Sequence, residues 1–314
     1  MSALLEVMSP GLLTTVQDLG RWGHQALGVP VAGPMDPFAH RLANALAGNP
    51  RDAAVLEITL VGPTLAFTES RVVAVTGAEF DLRLDDQPVP AMTSIAVRPG
   101  SVLRFGARRR GARAYLAVAG GIDTPPVLGS RATHVPTSTG GFQGRSLRRG
   151  DRLPIGPASR ARKPPRMGQT RVPPVDLSAV LRVLPGPDAH RFALDALETL
   201  TSTPYHVGVQ SDRMAFRLAG PAITHRQSAD IISEPTPAGG VQVPASGQPL
   251  LLMADRQTAG GYARLATVIS ADLGVAGQAC PGDRLRFAVC SRREAIAALV
   301  ARERPLLALE TQTQ

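Results

Sequence analysis

Short apolar runs separated by Gly, Pro and Asp recur along most of this chain. Runs of this kind, rich in Val, Ile and Leu, predict β-strands, and their regular spacing is typical of a barrel or sandwich. The predicted strands are Leu4–Met8, Leu12–Val16, Ala54–Leu60, Arg71–Thr76, Phe80–Leu84, Ser94–Val97, Val102–Phe105, Ala114–Val118, Ala179–Pro185, Pro249–Met253 and Leu265–Ile269. The pattern therefore predicts a mainly β chain.

Helical periodicity is clearest after Asp36, which can cap a helix that has Pro37 at its first position. Apolar residues then recur at every fourth position until Gly48 ends the helix. His40 and Asn44 share another face of this helix. We expect them at the surface, with a role in a binding site as the alternative.

Two shorter helices are predicted in the second half of the chain. Asp188 can cap the first of them. Ser291 and Glu294 form a capping box that opens the second, and Pro305 is expected to end it.

The two halves of the chain repeat two short motifs in the same order. Leu60–Pro63 is matched by Leu218–Pro221, and Arg98–Phe105 is matched by Cys280–Phe287. Arg149–Leu153 repeats the second motif once more. Recurrence in the same order indicates two related β domains.

Composition gives the expected boundaries of these domains. Residues 158–175 are rich in proline and arginine and have no hydrophobic period, so they predict a linker. We therefore expect one barrel half over residues 1–157 and a second, with the last helix, over residues 176–314.

The chain is basic, with a formal net charge of +9, and all of its basic residues except Lys163 are arginines. A basic balance makes nucleic acid a possible partner. However, aromatic residues make up only 4% of the chain, and the basic clusters Arg108–Arg110 and Arg145–Arg152 contain none. A stacking surface for nucleic acid is therefore not expected. We expect a solvated basic face, suited to an acidic partner subunit.

Two cysteines, Cys280 and Cys290, are too few for a disulfide framework or a zinc site. Both lie in or beside predicted strands, where we expect them as small buried apolar residues. The N-terminus lacks the basic region and apolar core of a signal peptide, and no apolar run is long enough to cross a membrane. These features predict a cytoplasmic protein with no metal site and no membrane partner.

The polar stretch between the predicted strands Pro249–Met253 and Leu265–Ile269 is the strongest candidate site. Its side chains surround two adjacent glycines, which allow a ligand to approach the backbone closely. The residues concerned are Asp255, Arg256, Gln257, Thr258, Gly260, Gly261 and Tyr262. A hairpin turn with Gly260 and Gly261 at its tip would explain the glycines alone. It would not explain three consecutive polar side chains before the turn, so we predict a functional role.

Three weaker polar clusters lie at other predicted strand ends. Their candidate substrate-binding residues are Gln17, Asp18, Arg21 and His24 in the first, Asp212 and Arg213 in the second, and Glu234 and Gln242 in the third. A local salt bridge between Asp18 and Arg21 explains the first cluster about as well as a binding site does.

Five motifs resemble those of the biotin-dependent carboxyltransferase family. They are Gly11–Arg21, Gly28–Pro30 with Gly33 and Met35-Asp36, Ser211–Met214, Ser233–Pro235 and Asp255–Tyr262. The family includes the carboxyltransferase domain of urea carboxylase (urea amidolyase), allophanate hydrolase subunit 2, the C subunit of 5-oxoprolinase and the KipA-type antagonist of a sporulation-kinase inhibitor. The resemblance runs from about Leu4 to Phe287. Departures from the family's pattern at Trp22, Ala259 and Ala263-Arg264 leave the substrate open more than the fold.

This resemblance implies a fold of two cyclophilin-like β-barrels with a few short helices, in a chain that works with partners. The first implied function is that of the C subunit of an ATP-dependent 5-oxoprolinase, which opens 5-oxo-L-proline to L-glutamate. The implied partners are a subunit-B-like (KipI-type) cyclophilin-like protein and a subunit-A-like protein. ATP would be bound by the complex, and the subunit that binds it stays open.

The family also implies two alternatives. One is transfer of a carboxyl group from carboxybiotin to urea or a related amide. The other is a non-catalytic KipA-type regulator that binds a kinase inhibitor. The lysine between methionines that marks a biotin carrier is absent from this chain, so any biotin must be attached to another protein.

Both reactions need a planar amide held in place and charge stabilised on oxygen. We expect Arg256 and the adjacent glycine amides to donate to the oxyanion or phosphate. Asp255 is the candidate base or orienting group, while Gln257 and Tyr262 would position the substrate amide. The three weaker clusters would complete the cleft or the contact between subunits.

Overall fold

The computed structural model describes residues 3–158 and 180–312, which fall into two compact units. Unit 1 contains residues 3–21, 32–158 and 303–312, and unit 2 contains residues 22–31 and 180–302. The predicted mainly β fold with barrel-like sheets and a few helices is confirmed. The boundaries 1–157 and 176–314 stay predictions, and the predicted linker lies outside the described residues apart from Ala158.

Unit 1 is built on a nine-stranded sheet. Its strands are β1 (Leu4–Ser9), β2 (Leu13–Gln17), β3 (Val55–Thr59), β4 (Thr64–Phe67), β5 (Arg71–Leu84), β6 (Gln87–Pro88), β7 (Ser94–Val97), β8 (Val102–Val118) and β9 (Arg152–Pro154). The main order is β2-β3-β8-β4-β1-β9, and β5 pairs with β6, β7 and β8. Every pairing in this sheet is antiparallel, as is usual for a meandering β-barrel.

The two longest strands of unit 1 correct the sequence-based assignment. The sequence divides β5 and β8 into four shorter strands separated by turns, and this division is wrong because each is continuous. Gly77 and Gly111 have φ angles of 82° and 74°, and the β5–β8 register is irregular between Gly77 and Leu82. The glycines therefore make bulges inside a strand pair, where the sequence suggested turns.

The sheet of unit 1 is buried on both faces. In β3 and β8, Leu56 and Leu116 point into the barrel core, while the alternate residues Val55 and Tyr115 pack against helix α1 (Pro37–Ala47). All four are completely buried. Because side chains alternate across a strand, one stretch of sequence supplies two apolar layers.

Helix α1 begins and ends where the sequence predicts. The Asp36 carboxylate accepts a hydrogen bond from the Ala39 N–H at 3.0 Å, and Gly48 takes the left-handed conformation with φ 74°. These are the expected N-terminal and C-terminal caps.

The expectation that His40 and Asn44 lie at the surface is wrong, since both are completely buried. The Asn44 side chain donates to the Ala53 carbonyl at 2.8 Å, and His40 Nε2 lies 3.2 Å from the Gln17 carbonyl. Helix α1 is covered on more than one side, and its apolar stripe reveals only one of them.

Unit 2 contains an eight-stranded sheet and a separate two-stranded ribbon. Its strands are β10 (Leu181–Pro185), β11 (Tyr205–Val207), β12 (Ala215–Ala219), β13 (Asp230–Pro235), β14 (Gly240–Gln242), β15 (Leu250–Leu252), β16 (Ala259–Tyr262), β17 (Arg264–Val268), β18 (Arg284–Leu285) and β19 (Phe287–Val289). The sheet order is β18-β11-β12-β15-β14-β17-β10-β19, and the ribbon is β13-β16.

The alternative of a hairpin turn with Gly260 and Gly261 at its tip is wrong. Strands β15 and β17 do not pair with each other, because β14 lies between them. The two glycines lie inside β16, where neither has a positive φ, and β16 pairs with β13. The polar stretch is therefore a second layer added to the sheet.

The C-terminal helix α4 (Arg292–Gln312) starts as predicted but does not end at Pro305. Its capping box is present, since Ser291 N–H donates to Glu294 at 2.7 Å and Glu294 N–H donates to Ser291 Oγ at 3.2 Å. Beyond Pro305, Leu306 and Leu309 are buried in the core around α1, and this packing outweighs the backbone hydrogen bond that proline removes.

Two smaller predictions in unit 2 are also wrong. Asp188 does not cap a helix: its carboxylate accepts from the Arg264 N–H at 2.9 Å, and helix α2 (Ala196–Ser202) starts later, after Asp195. Cys280 and Cys290 are partly exposed, where burial was expected. Unit 2 also contains the short helix α3 (Leu273–Gly277).

The repeated Pro/Arg-Gly motif forms the same turn in three places. Gly100, Gly150 and Gly282 have φ angles of 85°, 87° and 95°, in the left-handed region that favours glycine. In each turn the residue after the glycine accepts a hydrogen bond on its side chain from the backbone N–H three residues earlier. These bonds are Arg98 N to Ser101 Oγ, Arg148 N to Asp151 Oδ2 and Cys280 N to Asp283 Oδ2.

Among the described helices, none has both the length and the apolar character needed to span a membrane. Within residues 3–158 and 180–312, no group of three His, Cys, Asp or Glu side chains is arranged to hold a metal ion.

Candidate functional site

The strand register of unit 2 divides its sheet into an inner and an outer row. Across β12, β15, β14 and β17, the directly paired residues Phe216, Leu251, Val241 and Ala266 form the inner row. All four are at most 1% exposed, so this row is core. Directly paired residues point to the same side of a sheet, and their sequence neighbours point to the other.

The outer row crosses the same four strands one residue away on β12, β15 and β14 and, because the register shifts, two residues away on β17. It contains Arg217, Leu250, Gln242 and Arg264, paired in that order. Gln242 is only 3% exposed although it points away from the core. The β13–β16 ribbon covers Gln242, and it contains the predicted site residues Glu234, Gly260, Gly261 and Tyr262.

Gly260 lies directly against two carboxamide side chains. A Cβ atom placed on it would lie 2.7 Å from Gln242 Nε2 and 3.1 Å from Gln257 Nε2. Close packing against these flexible side-chain ends, and not backbone conformation, distinguishes Gly260, since its φ is not in the left-handed region. The absence of a side chain leaves the space that the two carboxamides occupy.

The two carboxamides form a short hydrogen-bonded chain. Gln257 Nε2 donates to Gln242 Oε1 at 3.3 Å, and Gln242 Nε2 donates to the Tyr262 carbonyl at 3.1 Å. The Gln257 backbone carbonyl in turn accepts from the Thr236 hydroxyl. Paired amide donors and acceptors of this kind can bind a planar amide or ureido group.

Arg256 adds a positive charge to the stretch that leads into the ribbon, and its hydrogen-bond partners are backbone carbonyls. Its Nε donates to the Thr236 carbonyl at 2.9 Å, and its Nη1 donates to the Met253 carbonyl at 3.3 Å. Across the part of the chain that the structure describes, no carboxylate forms an ion pair with it. Burial lowers the pKa of Arg256. A partly buried cation held by carbonyls attracts an anion or a developing oxyanion.

Asp255 and Arg213 form a buried ion pair beside this cation. Arg213 Nε and Nη2 donate to the two Asp255 carboxylate oxygens, both at 2.9 Å, and the two residues are 7% and 3% exposed. The backbone is tied as well, since Asp255 N–H donates to the Arg213 carbonyl at 2.8 Å. This two-point geometry fixes the start of the polar stretch.

The remaining predicted residues of unit 2 have different surroundings. Glu234 is exposed and pairs with Gly260 in the ribbon register, and the Thr258 carbonyl accepts from the Thr236 N–H at 3.1 Å. Asp212 is not at the ribbon: it closes a turn by accepting from the Met214 and Ala215 N–H groups.

Tyr262 is 41% exposed and lines an open groove of about 580 Å³. The outer-row residues Arg217 and Leu250 line the same groove. The ribbon site, defined as Gln242, Arg256, Gln257, Gly260 and Tyr262, reaches this groove through Tyr262. Gln257 is partly exposed, and Gln242 is covered.

The first polar cluster divides between the two units. Gln17, Asp18 and Arg21 belong to unit 1 and are buried, whereas His24 belongs to the segment grouped with unit 2 and is partly exposed. The His24 carbonyl accepts from the Leu27 and Val29 N–H groups in a short turn.

The interpretation of Asp18 and Arg21 as a local salt bridge is wrong. Asp18 instead accepts from the Ser130 hydroxyl at 2.6 Å and from the Arg131 N–H. Arg21 donates to the Val127 carbonyl at 2.8 Å and the Ala132 carbonyl at 3.0 Å. Both side chains hold the loop over residues 127–132, and Arg21 is only 1% exposed.

Gln17 and His40 continue this buried polar region of unit 1. Gln17 Nε2 donates to the Thr133 carbonyl at 3.0 Å, while Gln17 Oε1, His40 Nδ1 and Arg21 Nη1 have no hydrogen-bond partner among the described residues. Burial lowers the pKa of His40 to about 4. In this conformation a ligand cannot reach Gln17 or Arg21 from solvent, since both are at most 1% exposed.

The sequence analysis missed three residues of the ribbon site. Thr236 links Arg256 to Gln257, Arg264 pairs with Gln242 in the outer row, and Arg217 lies in the same row beyond Leu250. For Arg217 a signal was available: it lies between the apolar residues Phe216 and Leu218, and this alternation predicts an outward side chain. Thr236 carries no comparable signal, because its position depends on pairing between distant segments.

Known proteins match this chain along nearly its full length. The model of the family described as carboxyltransferase domain, subdomain A and B, matches residues 27–289. The C subunit of 5-oxoprolinase from Escherichia coli is 39% identical over 94% of both chains, and its counterpart from Haemophilus influenzae is 35% identical over 93% of both. The crystal structure of Kluyveromyces lactis urea amidolyase superposes with a TM-score of 0.91 at 30% identity, covering 98% of this chain and 20% of that longer one.

Proposed function

This chain belongs to the family of carboxyltransferase domains with subdomains A and B, and we propose that it is the C subunit of an ATP-dependent 5-oxoprolinase that opens 5-oxo-L-proline to L-glutamate. The observation that carries this proposal is the pair of bacterial 5-oxoprolinase relatives, which match at 39% and 35% identity over 93–94% of both chains. The amidolyase matches only through a fifth of its length.

In the proposed reaction the ribbon site binds the lactam amide. The amide is planar and offers one donor and one acceptor, which suit the carboxamides of Gln242 and Gln257. Their positions are fixed by the Tyr262 carbonyl, the Thr236 hydroxyl and the close approach of Gly260. A site pre-organised in this way loses little entropy on binding.

Arg256 stabilises the oxygen at which charge develops. In the complex, ATP supplies the phosphoryl group that activates the amide oxygen for attack by water. A guanidinium without a counter-charge, held on two backbone carbonyls, donates to that oxygen or to the phosphoryl group without having to reorganise.

Of the two roles predicted for Asp255, orientation suits the geometry better than base catalysis. Both carboxylate oxygens accept from Arg213, and Asp255 is only 3% exposed, which is the arrangement of a buried ion pair that fixes the backbone. The ion pair holds the backbone of the adjacent Arg256, and Asp255 therefore acts as a positioning residue. The proposed roles of the Gly260 and Gly261 amides as donors stay predictions.

The proposed enzyme acts as a complex with a subunit-B-like (KipI-type) protein and a subunit-A-like protein. Both bacterial relatives are subunits of a 5-oxoprolinase by name, which supports an assembly of several chains. ATP is bound by this assembly, and biotin is not attached to this chain.

The second candidate function is carboxyl transfer from carboxybiotin, carried on another protein, to urea or a related amide. The observation that favours it is the superposition on urea amidolyase over 98% of this chain. The same carboxamides and the same cation suit a ureido group, so the ribbon site alone does not separate the two reactions.

The deciding experiment is ADP release by the purified chain, with and without its two partner subunits and with and without 5-oxoproline. Release that needs 5-oxoproline and all three proteins supports the oxoprolinase. A well-folded mixture without 5-oxoproline dependence would overturn it. An avidin blot of co-purifying proteins then separates a biotin-linked carboxyltransferase from a regulator.

A further inference from the structure

We infer that Arg217 binds the carboxylate of an acidic amide substrate in the groove beside Tyr262, and that it thereby selects acids over neutral amides such as urea. This inference rests on the proposed function, because it names the chemical class of the substrate at the same ribbon site.

Arg217 and Tyr262 line the same groove. Arg217 and Gln242 belong to one outer row: Arg217 pairs with Leu250, and Leu250 pairs with Gln242, so one strand separates Arg217 from Gln242. Adjacent strands lie about 4.8 Å apart, which places the two backbones about 10 Å from each other on the same face. Gln242 does not line the groove, so Tyr262, whose carbonyl accepts from Gln242, connects the groove to the site.

The groove itself has a single sign of charge. Arg217 is the only charged residue among those that line it, and in the described parts of the chain no carboxylate pairs with its guanidinium. Gln248, which also lines the groove, is occupied: its carboxamide both accepts from and donates to the Gly220 backbone. The charged group available to an anion here is therefore the Arg217 guanidinium.

The apolar part of the groove suits the rest of such a ligand. Val209, Leu250 and Pro249 line it beside the Tyr262 ring. A small acidic lactam presents its ring methylene groups beside a carboxylate, which matches the apolar wall and the Arg217 guanidinium of this groove. Urea offers neither the methylene groups nor the carboxylate. Guanidinium binds carboxylate through two parallel hydrogen bonds, which lysine cannot reproduce.

The test compares 5-oxoproline with 2-pyrrolidinone, which is the same lactam without the carboxylate. The assembled three-subunit complex is prepared with wild-type chain, Arg217→Gln, Arg217→Lys and the control Arg284→Gln. Arg284 is an exposed arginine on β18 of the same sheet, and it does not line the groove. The readouts are KM and kcat for ADP release, and titration calorimetry with each lactam.

We expect Arg217→Gln to raise the KM for 5-oxoproline about tenfold with kcat within twofold, and to leave binding of 2-pyrrolidinone unchanged. The KM of Arg217→Lys for 5-oxoproline should fall between those of wild type and Arg217→Gln, and the KM of Arg284→Gln should match wild type. An active wild-type complex whose preference for the acid survives Arg217→Gln overturns the inference and leaves the proposed function intact.

If the proposed function itself is wrong, the result is different, because the wild-type complex then shows no 5-oxoproline-dependent ADP release. Calorimetry still decides the inference in that case. An acid-over-lactam preference that Arg217→Gln removes supports a carboxylate site, and a wild-type complex without any such preference overturns it.

Discussion

Arg21 in unit 1 and Arg256 in unit 2 are alike in sequence context but differ in what surrounds them. Both lie in polar stretches that follow a strand, both donate to backbone carbonyls, and burial lowers the pKa of each. Arg21 is 1% exposed and its carbonyl partners all belong to the loop over residues 127–132. Arg256 is partly exposed, and its carbonyl partners are those of Thr236 and Met253.

This difference shows that an arginine bound to backbone carbonyls can either hold a loop in place or be available to bind an anion. The deciding feature is access, since a completely enclosed guanidinium has no route to a ligand. In both places the hydrogen-bond partners of the guanidinium are backbone carbonyls, which carry no net charge that could neutralise it. Substitutions in the two clusters can test whether the cluster around Arg21 is enclosed and structural and the cluster around Arg256 is open and functional.

The largest expected effect comes from the ion pair that supports the open cluster. Replacing Arg213 with Met leaves the Asp255 carboxylate buried without a partner, which should lower the free energy of unfolding by about 3–5 kcal/mol. Urea unfolding of the purified chain measures this loss.

The control for that effect is the double variant Arg213→Met with Asp255→Leu. Removing both charges avoids the buried unpaired carboxylate, so the double variant should recover most of the lost stability. If the free energy of unfolding of Arg213→Met lies within about 1 kcal/mol of wild type, the ion pair does not stabilise the ribbon site.

Arg256→Gln and Arg21→Gln should have opposite consequences. Arg256→Gln should lower kcat/KM of the complex about 100-fold, because it removes a donor to the developing oxyanion, with a small change in stability. Arg21→Gln should lower the free energy of unfolding by about 2 kcal/mol and leave kcat/KM of the folded protein within twofold. Steady-state kinetics and urea unfolding of both variants give the answer. Strong loss of activity in a stable Arg21→Gln protein would show that the first polar cluster is part of the active site.

The pH dependence of stability tests whether the cluster in unit 1 is sealed. Burial lowers the pKa of His40 from 6.5 to about 4, so between these values the unfolded chain binds more protons than the folded one. The stability from the neutral ring is complete above pH 6.5 and is lost as the pH falls through 4. The total loss is about 3 kcal/mol.

His40→Gln removes this titration and keeps a side-chain N–H that can reach the Gln17 carbonyl. Unfolding free energies at pH 7.5 and 4.5 should therefore fall about 2–3 kcal/mol further for wild type than for His40→Gln. Equal pH dependence in the two proteins would mean that water reaches His40, and the contrast between the clusters would then weaken.

Local signals in the sequence were sufficient for elements whose partners are near in the chain. The caps of α1 at Asp36 and Gly48, the capping box at Ser291 and the repeated Gly100 and Gly282 turns are all present. Each depends on a few neighbouring residues, so the residue types alone specify the geometry.

Features that depend on pairing between distant segments were missed or mistaken. Nothing near Gly260 in sequence indicates that β14 separates β15 from β17, which is what excludes a hairpin. Burial of His40 and the passage of α4 through Pro305 likewise depend on packing against remote elements. Sequence clusters locate polar chemistry well, but only tertiary contacts decide which cluster is sealed.

The smallest expected effect is the sharpest test of the open cluster, because two neighbouring glycines serve as variant and control. A Cβ on Gly260 would meet the ends of the Gln242 and Gln257 carboxamides, whereas the nearest atom to a Cβ on Gly261 is the Ile231 carbonyl oxygen at 3.4 Å, an ordinary contact. Neither glycine has a positive φ, so alanine introduces no backbone strain at either position.

Gly260→Ala should therefore displace the flexible carboxamides at little cost in stability, below about 1 kcal/mol, because side-chain ends can move aside. The displaced carboxamides would hold the substrate amide less well, and the KM for 5-oxoproline should rise about fivefold, equivalent to about 1 kcal/mol. Gly261→Ala should keep both KM and stability near wild type. Equal KM values for the two variants would show that the carboxamide pair does not bind the substrate, even if Arg256 does.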